Sequence, residues 1–401
     1  MRMDRLGNQD FDVLIVGAGL AGLCCARRLA SGGAFVLLVD AKKDLTESVH
    51  TTGIFVRKTF EDFDLPAGSL GRAISKVRLY SPSLKTVDLD SEQPEYRIGD
   101  MKLIYRSLLE ECADLGVTFL SGTRFSASIP DKQVAGGSIV RLVKGRKRTD
   151  VRTKLLIGAD GTDSRVARDL ELDRNQEWIV GFEEVLTGIE GPREPMLHCF
   201  LDSELAPGYI GWIADDGNEC HVGVGGYTDR FEPKTALSQF REHVVSGLFD
   251  LSNSRLVESR GGRIPVGGIL KKIACERGLL IGDAAGAVSP LTAGGLDPCL
   301  RLSVYAAEIA LARLSSDDPS RLRSYSGKMF RTKFIPRMML RALFRSVKFQ
   351  VQFEFLFWAI TTWPGRWTAE KIFYRRASFP DVNADHPLRR PYVEGLDGHW
   401  K

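Results

Sequence analysis

Three glycines and one acid near the start of the chain have the types and spacing of a nucleotide cradle. Gly17, Gly19 and Gly22 form G-x-G-x-x-G directly after an apolar run, residues 11–16, and Asp40 closes a second run, residues 35–39. In this pattern Gly17 permits a tight turn, Gly19 lets the backbone approach a pyrophosphate, and Gly22 lets a helix pack against the strand. Leu20 and Ala21 open that helix, whose N–H groups and positive dipole end favour an anion. Asp40, with Ala41 beside it, falls where a carboxylate about twenty residues on holds a ribose 2′-hydroxyl. A glycine-rich turn alone would not bring two strands and an acid into this register. The chemistry is dinucleotide binding.

Two later segments say which dinucleotide. Leu155-Leu156-Ile157-Gly158-Ala159-Asp160-Gly161 is an apolar strand that runs into a loop of small residues and an acid. Gly278-Leu279-Leu280-Ile281-Gly282-Asp283-Ala284-Ala285-Gly286 is another, and Ala293-Gly294-Gly295-Leu296 leads from it into a helix rich in Ala and Leu. A nicotinamide dehydrogenase needs only the first motif. Three such segments in this order resemble the FAD-binding fold of the para-hydroxybenzoate hydroxylase class. The resemblance implies FAD, with NAD(P)H or another donor to reduce it. It also implies that the first motif holds the ADP half and that the loop of Asp160 and Gly161 borders the cofactor. Asp283 would bind the ribityl chain, and Gly294, Gly295 and Leu296 would lie beside the isoalloxazine.

Within that class the chain is similar to the geranylgeranyl reductase family. Aromatic hydroxylases carry His after Gly-Asp-Ala-Ala and Gly-Gln-Gly later, where this chain has Gly286 and Ala293-Gly294-Gly295. The reductase Tyr-x-Trp-x-Phe-Pro signature has a counterpart in Tyr209-Ile210-Gly211-Trp212, with one extra residue and no Phe-Pro. His50-Thr51-Thr52-Gly53 stands where several reductases have Cys-Gly-Gly, and Met101 where an Arg is expected. The resemblance implies candidate catalytic residues, each with a plainer reading. Tyr209 and Trp212 line the cavity above the flavin or are core aromatics. His50 donates a proton or is a loop histidine bonded to backbone. Asp297 is a general acid or, with Pro298 next to it, a helix N-cap. Cys299 is a substrate-facing thiol or a buried small hydrophobe. Arg301 carries a substrate carboxylate or faces solvent.

Composition excludes other classes. A chain of 401 residues suits a cofactor domain with an inserted substrate domain, and a net charge of +4 without an aromatic-laced basic run argues against nucleic acid. The 7 cysteines lack a Cys-x-x-Cys pair, which fits reduced thiols in a cytoplasmic protein and no metal site. Residues 1–10 are polar and have no signal-peptide core.

The expected architecture is α/β, a Rossmann-type FAD-binding domain with an inserted antiparallel-sheet substrate domain and a helical C-terminal segment. The FAD domain takes residues 1–70, 100–174 and 266–314. The substrate sheet takes 71–99 and 175–265, and the helical segment 315–401. In that last segment Arg337, Arg341 and Arg345 recur at helical spacing opposite Leu340, Leu343, Phe344, Val347 and Val351, and the aromatic run 353–360 follows. Residues 328–363 thus read either as a basic amphipathic element on the inner face of a membrane or as ordinary packing.

The sequence therefore points to an FAD-dependent oxidoreductase reducing carbon–carbon double bonds of a hydrophobic, isoprenoid or lipid-linked substrate. A class A flavin monooxygenase is the alternative. A flavin halogenase, or a redox-inactive flavoprotein serving as a scaffold, ranks lower.

Overall fold

The computed structural model describes residues 9–47, 49–191 and 194–374; most of the polar N-terminus and the tail 375–401 of the helical segment lie outside the described residues. β1 (Asp10–Val16), α1 (Leu20–Ser31) and β2 (Val36–Val39) make a parallel unit in which Val13 pairs with Val36 and Val16 with Val39. Both strands are apolar on both faces, as a parallel sheet covered on both sides demands. After β3 (Ile54–Val56) and α2 (Arg57–Asp62), the chain crosses to a second sheet in β4 (Lys76–Tyr80) and β5 (Thr86–Asp90). It returns in β6 (Tyr96–Ile98), which pairs with β3 in a two-stranded ribbon of its own. α3 (Met101–Asp114) starts where Asp100 accepts from the amides of Lys102 and Leu103, both at 3.0 Å.

β7 (Thr118–Leu120), β8 (Arg124–Pro130), β9 (Ser138–Lys144) and β10 (Lys147–Gly158) return to the first sheet, and α4 (Arg165–Asp169) follows. The second sheet is then completed by β11 (Trp178–Thr187), β12 (Met196–Phe200), β13 (Gly211–Asp215) and β14 (Cys220–Gly226). α5 (Pro233–His243), a helix inside a region that reads as strands, comes before the last strand of that sheet, β15 (Arg255–Pro265). β16 (Ala274–Cys275), β17 (Gly278–Leu280) and the long α6 (Leu296–Ser316) close the cofactor half. The C-terminal part is helical: α7 (Gly327–Arg331), α8 (Ile335–Ser346), α9 (Gln350–Thr361) and α10 (Trp363–Phe373).

The first sheet runs β16-β17-β10-β1-β2-β7, with β9 on β10 and β8 on β9; the second runs β15-β11-β14-β13-β12-β4-β5. The second is antiparallel apart from β4 and β12, which pair parallel. Period-two alternation gives it two apolar faces. Leu79, Leu197 and Cys199 pack toward Val347, Phe353 and Phe357 of the C-terminal segment, whereas Tyr80, Phe200 and Val222 pack on Leu237 and Phe240 of α5. This sheet is therefore held between α5 and the C-terminal helices.

The C-terminal helices correct the amphipathic reading. Residues 335–361 are two helices separated by an extended Val347, and the middle arginine of the basic stripe is turned inward. Arg341 is 2% exposed; its guanidinium lies over the rings of Tyr209 and Tyr227 and donates to Tyr227 Oη at 3.1 Å. Arg345 stacks on Tyr227 and pairs with Glu177 at 3.3 Å. The outer face instead carries Met339, Val351, Phe355, Trp358 and Trp363, from 60% to 80% exposed. Helical spacing groups like residues on a face but does not say which face meets the protein. Here two tyrosines and a glutamate offered the cations a better site than solvent. Among the described residues no helix is long and apolar enough to cross a membrane.

Candidate active site

The glycines of the first motif do three separate jobs. Gly17 has φ +102°, and a Cβ there would stand 2.2 Å from the Ala159 carbonyl oxygen. At Gly22 a Cβ would meet Gly17 O at 1.8 Å, so α1 packs onto the turn backbone to backbone. A Cβ on Gly19 would touch nothing within 4 Å, because this residue borders an open cavity. Gly19 is also the N-cap of α1, with no side-chain cap and no acid in the first turn, which leaves the first N–H groups for a ligand. Leu20 and Ala21 line the same cavity, while Gly17, Gly22 and Ala41 do not.

Two acids depart in detail from their expected places. Asp40 borders the cavity, but its Oδ2 accepts from Ala18 N at 2.6 Å and its Oδ1 from Lys42 N at 2.7 Å. It thereby ties the glycine turn to the chain after β2. Asp160 faces away: it accepts from Ser164 Oγ at 2.6 Å and Arg165 N at 2.7 Å, fastening the start of α4. A carboxylate just before a short helix finds those amides first. From this loop only Gly161 reaches the cavity wall, with Ala159.

Asp283 behaves differently. It lines the cavity, burial alone pushes its carboxyl up to about 6, and no donor among the described residues reaches it. A buried acid without a partner is costly unless a ligand supplies one. Gly294, Gly295 and Leu296 lie on the same wall. A glycine-floored opening at a helix N-terminus, with a lone acid beside it, fits the pyrophosphate and ribityl chain of FAD.

The cavity measures ≈ 1030 Å³ and continues from this cradle to the C-terminal helices, where Leu340, Phe344, Leu356 and Ile360 wall it. All five candidate catalytic residues line it: His50, Tyr209, Trp212, Asp297 and Cys299. Tyr209 sits in the turn before β13 and donates to Thr292 O at 2.8 Å; its ring meets Trp212 edge-on at 6.4 Å. His50 Nδ1 bonds Gly261 O at 2.9 Å, the bond expected of a loop histidine. Burial and the nearby Lys42 lower its pKa from the usual imidazole value, so it is neutral near pH 7. Burial, followed by the charge of Asp283, keeps Cys299 a thiol.

Asp297 and Arg301 correct the sequence reading. The N-cap of α6 is Gly295, and Asp297 accepts instead from Thr59 Oγ1 and Arg301 Nε, both at 2.9 Å. Arg301 neither faces solvent nor lines the cavity. It is 0% exposed and pairs with Asp62 at 2.7 Å, bolting α6 to α2. A charge four residues from an opposite charge on a helix signals that pair, but the third partner comes from distant chain.

One group escaped notice in the sequence. Glu183, on β11, lines the cavity and is 3% exposed. Its Oε2 accepts from Thr52 Oγ1 at 2.5 Å and Trp212 Nε1 at 3.3 Å, and its Oε1 faces Arg260 at 3.4 Å and His221 at 3.5 Å. The available signal was alternation: Gly181, Glu183 and Val185 share one strand face, and an acid among such neighbours is out of place unless used.

Fold and site together define an FAD-dependent oxidoreductase. The FAD binding domain family matches residues 10–339. The digeranylgeranylglycerophospholipid reductase 1 of Methanopyrus kandleri is 31% identical over 322 residues, covering 78% of this chain and 83% of the relative. A digeranylgeranylglycerophospholipid reductase 2 of Methanosphaera stadtmanae is 30% identical, covering 77% and 80%. A geranylgeranyl bacteriochlorophyll reductase-like protein from Thermoplasma acidophilum has the same fold, with a TM-score of 0.78 at 20% identity, covering 92% of this chain and 97% of that one. The p-nitrophenol 4-monooxygenase of Pseudomonas putida shares the fold at a TM-score of 0.69 and 15% identity, over 92% and 100% of the two chains. The chain belongs to the digeranylgeranylglycerophospholipid reductase family within the FAD binding domain proteins.

Proposed function

We propose that this chain reduces carbon–carbon double bonds of an isoprenoid lipid with an anionic headgroup. One observation carries the reading: a single cavity joins the FAD cradle to an apolar slot under α8 and α9, with Lys333 and Arg337 among its lining. Such a space suits a long hydrocarbon chain, and two cations suit a phosphate. Residues 1–70, 100–174 and 266–314 serve the cofactor, and 71–99, 175–265 and the C-terminal helices the substrate.

FAD, when bound and reduced by NAD(P)H or another donor, supplies the hydride. The chain's residues do the rest. The N–H groups at Gly19 and Leu20 hold the pyrophosphate, and Asp283 accepts from the ribityl chain. Gly294, Gly295 and Leu296 leave room for the flat ring. Tyr209 and Trp212 form the opposite wall and exclude water, while Cys199, Leu197 and Phe344 hold the alkene portion in place. The cap's outer face, with Trp358 at 60% and Trp363 at 80% exposure, rests on a membrane surface and takes substrate from it.

The test is anaerobic. Reduced holoenzyme mixed with a polyprenyl glycerophospholipid should regain its oxidised flavin absorbance and yield a product two hydrogens heavier. Stoichiometric oxygen uptake, with labelled oxygen in the product, would instead establish the monooxygenase.

A further inference from the structure

Reducing an alkene needs a proton as well as a hydride, and a cavity lined by apolar groups has few sources for one. Glu183 is a carboxyl group on the wall of this cavity, and a chain of ionisable groups leads from it to the surface. His221, on β14, is 2% exposed, with Nδ1 3.5 Å from Glu183 Oε1. On its other side Nε2 is 4.0 Å from Asp216 Oδ2, a gap that a small rotation or one water would span. Asp216 sits half-buried in the turn joining β13 and β14, fixed by the amides of Asn218 and Glu219, both at 2.7 Å. Gly223 makes the arrangement fit: a Cβ there would stand 2.2 Å from the Trp212 ring and 2.9 Å from Glu183 Cβ.

Every charged group around this chain bears on its protonation. Arg260 faces Glu183 from β15 and also pairs with Glu258, which Lys102 meets at 3.1 Å. Asp215, beside Asp216, is paired with Arg72 at 3.6 Å, and Glu219 closes the same turn. For His221, burial disfavours the cation, but hydrogen bonds to Asp216 and Glu183 outweigh it and push its pKa up to about 9. The imidazole thus carries a proton at neutral pH.

We infer that Glu183 supplies the proton of the reduction and that His221 and Asp216 return it from solvent. The inference rests on the reductive reading above. The alkene π bond is lost and two C–H bonds form. The electron pair arrives with the hydride from reduced FAD, and the proton leaves the Glu183 carboxyl. The carboxylate left behind takes a proton from the His221 imidazolium through Nδ1. The imidazole left behind keeps its Nε2 proton and has a bare Nδ1; a flip of the ring turns that nitrogen toward Asp216, by way of which it takes a proton from water. Thr52 and Trp212 are positioning residues: their donors fix the carboxyl against the cavity. Glu183 is the catalytic residue.

The experiment separates the half-reactions of the holoenzyme. Glu183→Gln should keep its flavin spectrum and be reduced by dithionite at the parent rate, while reoxidation by the lipid alkene slows by about 10²- to 10⁴-fold. In Asp216→Asn, whose side-chain oxygen still accepts from the turn amides, the His221 titration followed by NMR should move below its parent midpoint. The pH above which reoxidation declines should fall with it. Should Glu183→Gln lose its flavin, His221→Gln is read instead, with slow reoxidation restored by added imidazole. Parent-rate reoxidation in the Glu183 or His221 variant, or an unmoved His221 titration in Asp216→Asn, overturns the relay. A parent enzyme that no alkene reoxidises fails at the reductive reading itself, and the relay falls with it.

Discussion

In the FAD cradle the groups offered to the ligand are backbone N–H groups and one acid, Asp283, whose carboxyl no donor among the described residues reaches. In the C-terminal cap Arg341 is spent on the protein, Val347, Phe353 and Phe357 pack inward, and a second apolar set, Trp358 and Trp363 among it, faces out. The cradle is tight: Cβ atoms at Gly17 and Gly22 would stand 2.2 and 1.8 Å from backbone oxygens. The cap is fastened to the second sheet by side-chain packing, Val347, Phe353 and Phe357 on Leu79, Leu197 and Cys199, and by Arg341 and Arg345 on Tyr227 and Glu177. A site that must hold one cofactor gains from backbone geometry, which no rotamer change can loosen. A cover that must admit a long lipid gains from a fastening that can open. The comparison therefore predicts that damage to the cradle side destabilises the molecule and damage to the cap alters access.

The largest effect should come from the bolt behind the cradle. Arg301→Met removes the buried guanidinium between Asp62 and Asp297, leaving Asp62 its pair with Lys58 at 3.1 Å, and should cost about 3–5 kcal/mol, read as a fall in Tm with loss of FAD. A variant as stable as the parent would show that the bolt holds nothing. Next come paired substitutions within one motif. Gly22→Ala forces backbone apart and should destabilise by about 1–3 kcal/mol. Gly19→Ala should leave Tm of the apoprotein unchanged and weaken FAD binding, because its methyl enters only the ligand's space. Equal Tm losses at both positions would remove the distinction between structural and ligand-facing glycines.

The cap should respond more mildly. Arg341→Leu removes two cation–π contacts and a hydrogen bond and should destabilise by about 1–2 kcal/mol. Proteolysis within α8 should quicken while the flavin spectrum stays. An unaltered cleavage rate would mean that the cap is held elsewhere. The smallest effect on stability is expected on the outer face. Trp358→Ser with Trp363→Ser should leave the unfolding free energy within about 0.5 kcal/mol of the parent, since both rings are exposed. Binding to phospholipid vesicles should nevertheless drop about tenfold or more, given the worth of burying such rings. Because Arg341 is buried and the half-exposed Arg345 is paired with Glu177, raising the salt should change vesicle binding little. A steep loss with salt would restore the basic-face arrangement that the structure replaces.

How far the sequence reached is clearest residue by residue. The tight turn at Gly17 and the close packing at Gly22 were legible because they are local, each depending on a strand, a turn and the next helix within some thirty residues, and Gly19, Asp283 and Gly294-Gly295 lie on the cavity wall. The cofactor and the α/β architecture followed from their order along the chain. Asp160 shows the limit of even a local reading, since a loop acid beside a helix start can serve the helix instead of the cofactor.

Everything that depended on distant chain was decided by the tertiary structure. The spacing of Arg337, Arg341 and Arg345 fixed a stripe, but its direction waited on where Tyr209, Tyr227 and Glu177 arrive, more than a hundred residues earlier. Arg301 was ambiguous until α2 brought Asp62 within 2.7 Å of it. Glu183 was one acid among many until four segments converged on it: the loop at Thr52, β13, β14 and β15. Local backbone preference and hydrophobic period are written in consecutive residues, so the sequence alone determined the cofactor cradle. The partner of a buried charge is set by packing between segments that no short window contains, so only the fold decided which side chains meet across the cavity.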